Sequence, residues 1–485
     1  LGDCSRFIQR GIFFRKRDYL DVSGNRINKN NARDREYYRP MKKWVVLLFL
    51  PTLSFSATVP LVSHSHVYGT VAANQTVYMP VGDTVISSAA AEVAVQVPFY
   101  SSGTFSQMYV RLEDNSLSGS CTFYLRVNGA TVNSKVVLPA GVKIGSDTIH
   151  TDHINFGDKV SYMLVTGAGT TLLPVANSIN FTPDDGSYYQ RFSPAAPAGG
   201  LDNTNGYQPY YSNVTGILGL NFYESHAVHY MRTAGTFKNL AVYVSTNSRT
   251  HNTNFYLSKN GVPTALSTAA VSGKWGLIQQ TTTTVSVVAG DTVTIALSAT
   301  GGDEGDTNLI KVNFVSLEFV NSGSEYEYAV GTDDKPQNAG ETWTIPYKSA
   351  LSFGGDEYLL PALSTGTLSN FCMTTAQNDC STVSTLKFRK NGVTDASMVI
   401  TIPAASTGTF CDNTHTITTV SSDTIAYLGD SPSGSGTMYY SSISSKFTPT
   451  GAGGGGGSTS NGPISFTSGS GSWTATSGTG RLTFF

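Results

Sequence analysis

Phe123 to Val132 reads Phe-Tyr-Leu-Arg-Val-Asn-Gly-Ala-Thr-Val, and recognisable copies of it return twice. Phe255 to Thr264 reads Phe-Tyr-Leu-Ser-Lys-Asn-Gly-Val-Pro-Thr, and Leu386 to Asp395 reads Leu-Lys-Phe-Arg-Lys-Asn-Gly-Val-Thr-Asp. The Asn-Gly pairs at 128/129, 260/261 and 391/392 are separated by 132 and then 131 residues. A period of that length is domain-sized, not solenoid-sized, so the chain is three tandem copies of one domain. In each copy Phe or Leu alternates with polar residues up to the Asn-Gly, the pair that tolerates positive φ at both centres of a tight hairpin turn.

Other landmarks keep the same spacing. Gly103-Thr104-Phe105 returns as Gly235-Thr236-Phe237 and Gly366-Thr367-Leu368. After each comes a two-residue apolar period: Met108, Val110 and Leu112, then Leu240, Val242 and Val244, then Phe371 and Met373. One face of each such strand is expected in a core. Gly157-Asp158 and Gly290-Asp291, replaced by Ser422-Asp423 in the last copy, read as turn residues. Each copy closes on a strand holding Phe181, Phe319 or Phe447. Several short strands per copy and no stretch of helical period predict an all-β chain of three tandem jelly-roll-like β-sandwich domains.

The run of landmarks resembles the compact jelly-roll modules of bacteriophage tail and receptor-binding proteins, and is similar to the C-terminal globular domains of collagen-like bacterial surface proteins. The resemblance covers residues 97 to 181, 229 to 319 and 358 to 447. It implies a non-enzymatic protein that assembles virions or surface layers, often as trimers.

Domain boundaries follow from composition. Residues 1–40 are basic and without apolar period, and are expected to be an upstream segment. Met41-Lys42-Lys43, the apolar run Trp44 to Leu50 and Ser54-Phe55-Ser56 read as a signal peptide over 41–56, with Ala57 as the mature N-terminus. The run is too short to span a bilayer, and Pro51 interrupts it. Repeat 1 is expected over 57–183 and repeat 2 over 207–320, with repeat 3 over 341–450. The turn-rich stretches 184–206 and 321–340 are expected to link them, and 451–485 to be a Gly-rich linker and tail. The tail is polar enough to be disordered, yet its apolar alternation, at Ile464 and Phe466 and again at Leu482 and Phe484, would suit strand addition to a sheet edge.

Of the 31 Lys and Arg, 12 precede residue 57, against 5 of the 33 Asp and Glu. That leaves 19 basic and 28 acidic side chains, a balance that disfavours nucleic-acid binding, which needs a basic footprint. Serine-hydrolase, zinc-protease and phosphate-loop motifs are all missing from the sequence after residue 56, so no catalytic residue and no cofactor is nominated. His64 and His66 would share a strand face, and His150, Asp152 and His153 lie close together. Neither group has metal-ligand spacing, and solvated histidines are the expectation. The acidic loop Asp303 to Asn308 lacks the ordered spacing of a calcium loop.

Leaving out Cys4, four cysteines remain: Cys121 in repeat 1, and Cys372, Cys380 and Cys411 in repeat 3. Export permits their oxidation. If all four were oxidised, repeat 3 could pair only two of its own, and Cys121 would have to reach the third across domains. Cys380 is the candidate, because it lies in the loop leading into the strand that Cys121 begins, whereas Cys372 and Cys411 flank one core. Such a bridge needs repeats 1 and 3 to touch; the linkers by themselves favour independent beads. The functional expectation is an exported structural or adhesive surface protein, secreted or on the cell surface, with self-association or other surface proteins as partners. Glycans are a further candidate, through Tyr188, Tyr189, Tyr207, Tyr210 and Tyr211. A phage or viral coat or fibre protein is the rival reading, and a secreted hydrolase a weaker one.

Overall fold

The Asn-Gly turns set the local geometry of every repeat. In a computed structural model, Asn128, Asn260 and Asn391 sit at φ 52°, 51° and 53°, and the glycines after them at 80°, 75° and 75°. Positive φ at both centres matches the right-handed twist of the flanking strands, which pair across the turn in each repeat. The structure describes residues 59–64, 70–82, 91–194, 210–215, 224–299, 309–331, 340–344, 352–353, 360–361, 364–431 and 436–450. The expected signal segment, the loop Asp303 to Asn308, His66, Tyr207 and the C-terminal tail lie outside them.

Among the described residues each repeat has eight principal strands, all antiparallel. In repeat 1 these are Val59–His64, Thr76–Pro80, Gly103–Leu117, Cys121–Val127, Ala130–Leu138, Ile144–Ile154, Lys159–Val165 and Gly169–Pro183. Counted in that order, strands 1-8-3-6 form one sheet and strands 2-7-4-5 the other. Repeat 2, from Tyr188–Phe192 to Ile310–Asn321, and repeat 3, from Tyr326–Gly331 to Met438–Pro449, follow the same two orders. Eight strands alternating between two sheets in this manner make a jelly roll. Repeat 3 adds Ser352–Phe353 at the edge of its second sheet.

The two-residue apolar period lands where it was expected. Met108, Val110, Phe123, Leu125, Val242, Val244, Phe255, Leu257, Phe371 and Met373 are at most 1% exposed. Strand 3 holds Phe105 and Met108 in the same core although they are three residues apart. A bulge between them resets the phase, with Gln107 at φ 53° and its counterparts Asn239 and Asn370 at 54° and 50°. The Gly-Thr-Phe landmark has a steric cause in strand 8. A Cβ on Gly103, Gly235 or Gly366 would sit 2.6, 2.4 or 2.3 Å from the ring of Phe181, Phe319 or Phe447. Two sequence landmarks are thus halves of one contact.

The stretches 184–206 and 321–340, expected as linkers, differ from that expectation. Each begins with strand 1 of the next repeat, Tyr188–Phe192 against Ile310–Asn321 and Tyr326–Gly331 against Met438–Pro449. Their apolar signature is weak because the buried residues there include Gln190, Arg191 and Glu327. The repeats are also not independent beads. Phe181 of repeat 1 packs on Tyr189 with ring centroids 5.4 Å apart, and Tyr188 packs on Tyr326 at 5.3 Å.

Candidate functional site: the buried polar junctions between repeats

Two ionisable pairs with side chains at most 1% exposed, Arg191–Glu318 and His229–Glu327, lie where one repeat meets the next. Repeat 1 enters its junction with the segment from the 3-10 turn Glu92–Ala94 to Tyr100, which lies on the outer face of the first sheet of repeat 2. Ala94, Val97 and Tyr100 bury apolar surface there against Ala241, Tyr243 and Phe314. Beside this patch the side chains of Arg191 and Glu318 are 1% and 0% exposed, with their charged atoms 3.4 Å apart. Glu318 accepts from the Tyr100 amide at 3.0 Å, the Tyr189 hydroxyl at 2.8 Å and the Asn239 amide at 2.6 Å. Arg191 donates to Ser316 Oγ at 2.5 Å and to the Pro98 carbonyl at 3.0 Å, and its guanidinium lies 4.1 Å from the Phe99 ring centre. Burial pushes the Tyr189 hydroxyl well above its ordinary pKa and that of Tyr100 up to about 12, so both stay protonated and able to donate.

Repeat 2 docks on repeat 3 through the corresponding segment, from Glu224–His226 to Thr233. Here the buried acid is Glu327. It accepts from His229 Nε2 at 2.7 Å, from the Arg232 amide at 2.9 Å, and from the Thr233 amide and hydroxyl at 3.3 and 3.2 Å. Arg232 Nε donates to Ser444 Oγ at 2.9 Å, and Asn213 Nδ2 to the Ser441 carbonyl at 2.9 Å. The Gln190 amide exchanges two bonds with the backbone of Glu327, at 2.7 and 2.9 Å, tying the first strands of repeats 2 and 3 together. Removing a partner from either acid would leave a buried carboxylate less well compensated, which is costly away from water.

Two further devices recur inside the repeats. The Asp of the third landmark closes a clasp on the Asn-Gly turn: Asn128, Asn260 and Asn391 donate to Asp158, Asp291 and Asp423 at 2.7, 2.8 and 2.7 Å. Each Asp accepts with its second oxygen from the amide three residues earlier. Asn115, Asn247 and Asn378 each donate to two carbonyls of the loop between strands 5 and 6. These latches went unread in the sequence, yet their spacing of 132 and 131 residues was there to find them.

The candidate chemistry residues disperse. His150 Nδ1 lies 2.8 Å from Asp147, while Asp152 accepts from Asn133 and Ser134, and His153 meets Asp184 at 2.9 Å. The Asp147–His150 pair does recur, as Asp412 and His415 at 2.9 Å, and the strand edge places it identically in repeats 1 and 3. No group of three or more metal-ligating side chains occurs among the described residues. Among the described tyrosines, Tyr189 and Tyr210 are buried, Tyr188 is half-buried against Tyr326 and Tyr211 is half-buried, so these four do not form an exposed platform. Cys372 and Cys411, directly opposite on strands 3 and 6 of repeat 3, form a disulfide. Cys121 and Cys380 are buried free thiols, not the bridge considered from the sequence. Each is fully enclosed, and burial raises the Cys121 thiol to about 11.

No family model matches the chain, and no curated sequence does. The fold is the jelly roll. That rests on the strand order. Among solved structures the chain is similar to one described as "The Triple Jelly Roll Fold and Turret Assembly in an Archaeal Virus", at 11% identity, covering 80% of this chain and 91% of that one, with a TM-score of 0.16. No helix among the described residues is long and apolar enough to cross a membrane.

Proposed function

We propose that this protein is a non-enzymatic structural block, exported from the cell and working by self-association in an extracellular assembly such as a surface layer or a virion coat. The observation that carries the reading is the use made of buried polar residues. Arg191, Glu318, His229 and Glu327, which in an enzyme would line a cleft, are consumed in joining one repeat to the next. Joined repeats present their surfaces in fixed relation, which is what repeated lateral contact in an assembly requires. The Cys372–Cys411 disulfide supports the exported setting, since such bonds persist in oxidising compartments.

The test is imaging the purified, secreted chain by electron microscopy over a range of concentrations, alongside its mass in solution. Ordered multimers that grow with concentration are expected. A strictly monomeric protein at every concentration, or a product retained inside the cell, counts against the reading.

A further inference from the structure

The two junctions use the same place in the fold but opposite chemistry. Strand register sets the equivalence: Gln190 faces Phe319 in repeat 2, and Tyr326 faces Phe447 in repeat 3. Arg191 and Glu327 therefore hold one position, opposite Glu318 and Lys446. On the docking side, Val97 and His229 hold one position, each paired with the start of strand 7, at Val160 and Val293. Tyr100 and Arg232 correspond three residues later. The pairings Ala241 with Ser316 and Cys372 with Ser444 make the two serines equivalent.

These equivalences show what a wrong docking would meet. In repeat 2, Ser316 is already taken by the Arg191 guanidinium; in repeat 3, the matching Ser444 receives Arg232 from repeat 2. A second copy offering its repeat 2 to the face of repeat 2 would bring Arg232 and Arg191 to the same hydroxyl, cation against cation. A second copy offering its repeat 1 to the face of repeat 3 would put Val97 where His229 meets Glu327, leaving a buried acid without that partner. Both errors strand a buried polar group in a site closed to water.

We infer that the two junctions are keyed: the Arg191–Glu318 and His229–Glu327 clusters determine which repeat docks on which, and so exclude mismatched exchange of repeats with a second copy of this chain. Three similar domains in one chain are open to such exchange during folding, and apolar contact alone does not discriminate among them.

The test uses the full chain carrying two different affinity tags, mixed either before or after refolding from denaturant. Two keyless variants are compared with the unmodified protein: His229→Val with Glu327→Gln, and Arg191→Met with Glu318→Gln. Co-purification of the two tags should rise on the order of tenfold for a variant mixed before refolding, and not for one mixed after. Assembly of already folded copies appears equally in both orders of mixing, so failure of the proposed function is read separately. Variants that refold with no more exchange than the unmodified chain overturn the inference. Variants that do not refold at all also overturn it, by assigning the clusters to stability alone.

Discussion

At the scale of single residues, the turn centres and their clasps carry the clearest consequences. Gly261 at φ 75° lies where a β-branched side chain is strained. Gly261→Val should destabilise the protein by on the order of 1 kcal/mol or more, read from denaturant unfolding. An unchanged midpoint would remove the steric reading of the turn. Asp291 supplies a pH dependence. Burial by itself would raise its carboxyl, but bonds from Asn260 and the Val288 amide, with the Lys259 ammonium beside it, outweigh burial and hold the pKa below its ordinary value. Asp147, Asp412 and Asp423 are lowered in the same way by their own partners. A carboxyl depressed in the folded state stabilises above its unfolded value, about 3.9, and loses that contribution as pH falls through the folded value. The urea midpoint should therefore drop as pH is lowered from about 4 towards 2. Asp291→Asn should reduce the midpoint at neutral pH and shallow the acid limb, and an acid limb identical to that of the unmodified protein would argue against the clasp.

At the scale of elements, the Asn latches hold the loop between strands 5 and 6 from below. Asn247 donates to the carbonyls of Val271 and Lys274 at 2.9 and 3.1 Å. Asn247→Ala leaves both without that donor and should cost about 1–3 kcal/mol, with faster hydrogen exchange confined to residues 271–274. A cost within about 0.5 kcal/mol would class the position with ordinary surface sites. The Asn-Gly turns were legible because the pair accepts positive φ at both turn centres more readily than other residues do. Asn115, Asn247 and Asn378 were not, although equally periodic, because a lone Asn suits a cap, a turn or a solvated face, and its partners lie 24 to 28 residues further on.

At the scale of the whole molecule, the cysteines distinguish the observed packing from the bridge considered from the sequence. Peptide mapping under non-reducing conditions should recover Cys372 joined to Cys411. Cys121 and Cys380 should react with a thiol reagent only after unfolding. A Cys121–Cys380 crosslink would contradict the structure. Reduction of the bond, which spans 39 residues, should lower stability by about 4 kcal/mol if chain entropy governs it.

By itself the sequence determined the repeat, its period, the all-β class and the core faces. Those follow from local rules: turn residues that accept positive φ where others are strained, and alternation that puts every second side chain on the same side. Only the tertiary structure decided that Tyr188–Phe192 and Tyr326–Gly331 are strands of the following repeats, and that the repeats share buried surface. The residues responsible, Gln190, Arg191 and Glu327, are polar and look solvated in a linear reading. They are buried because hydrogen-bond partners more than 90 residues away in the chain meet them, and sequence spacing carries no record of that meeting.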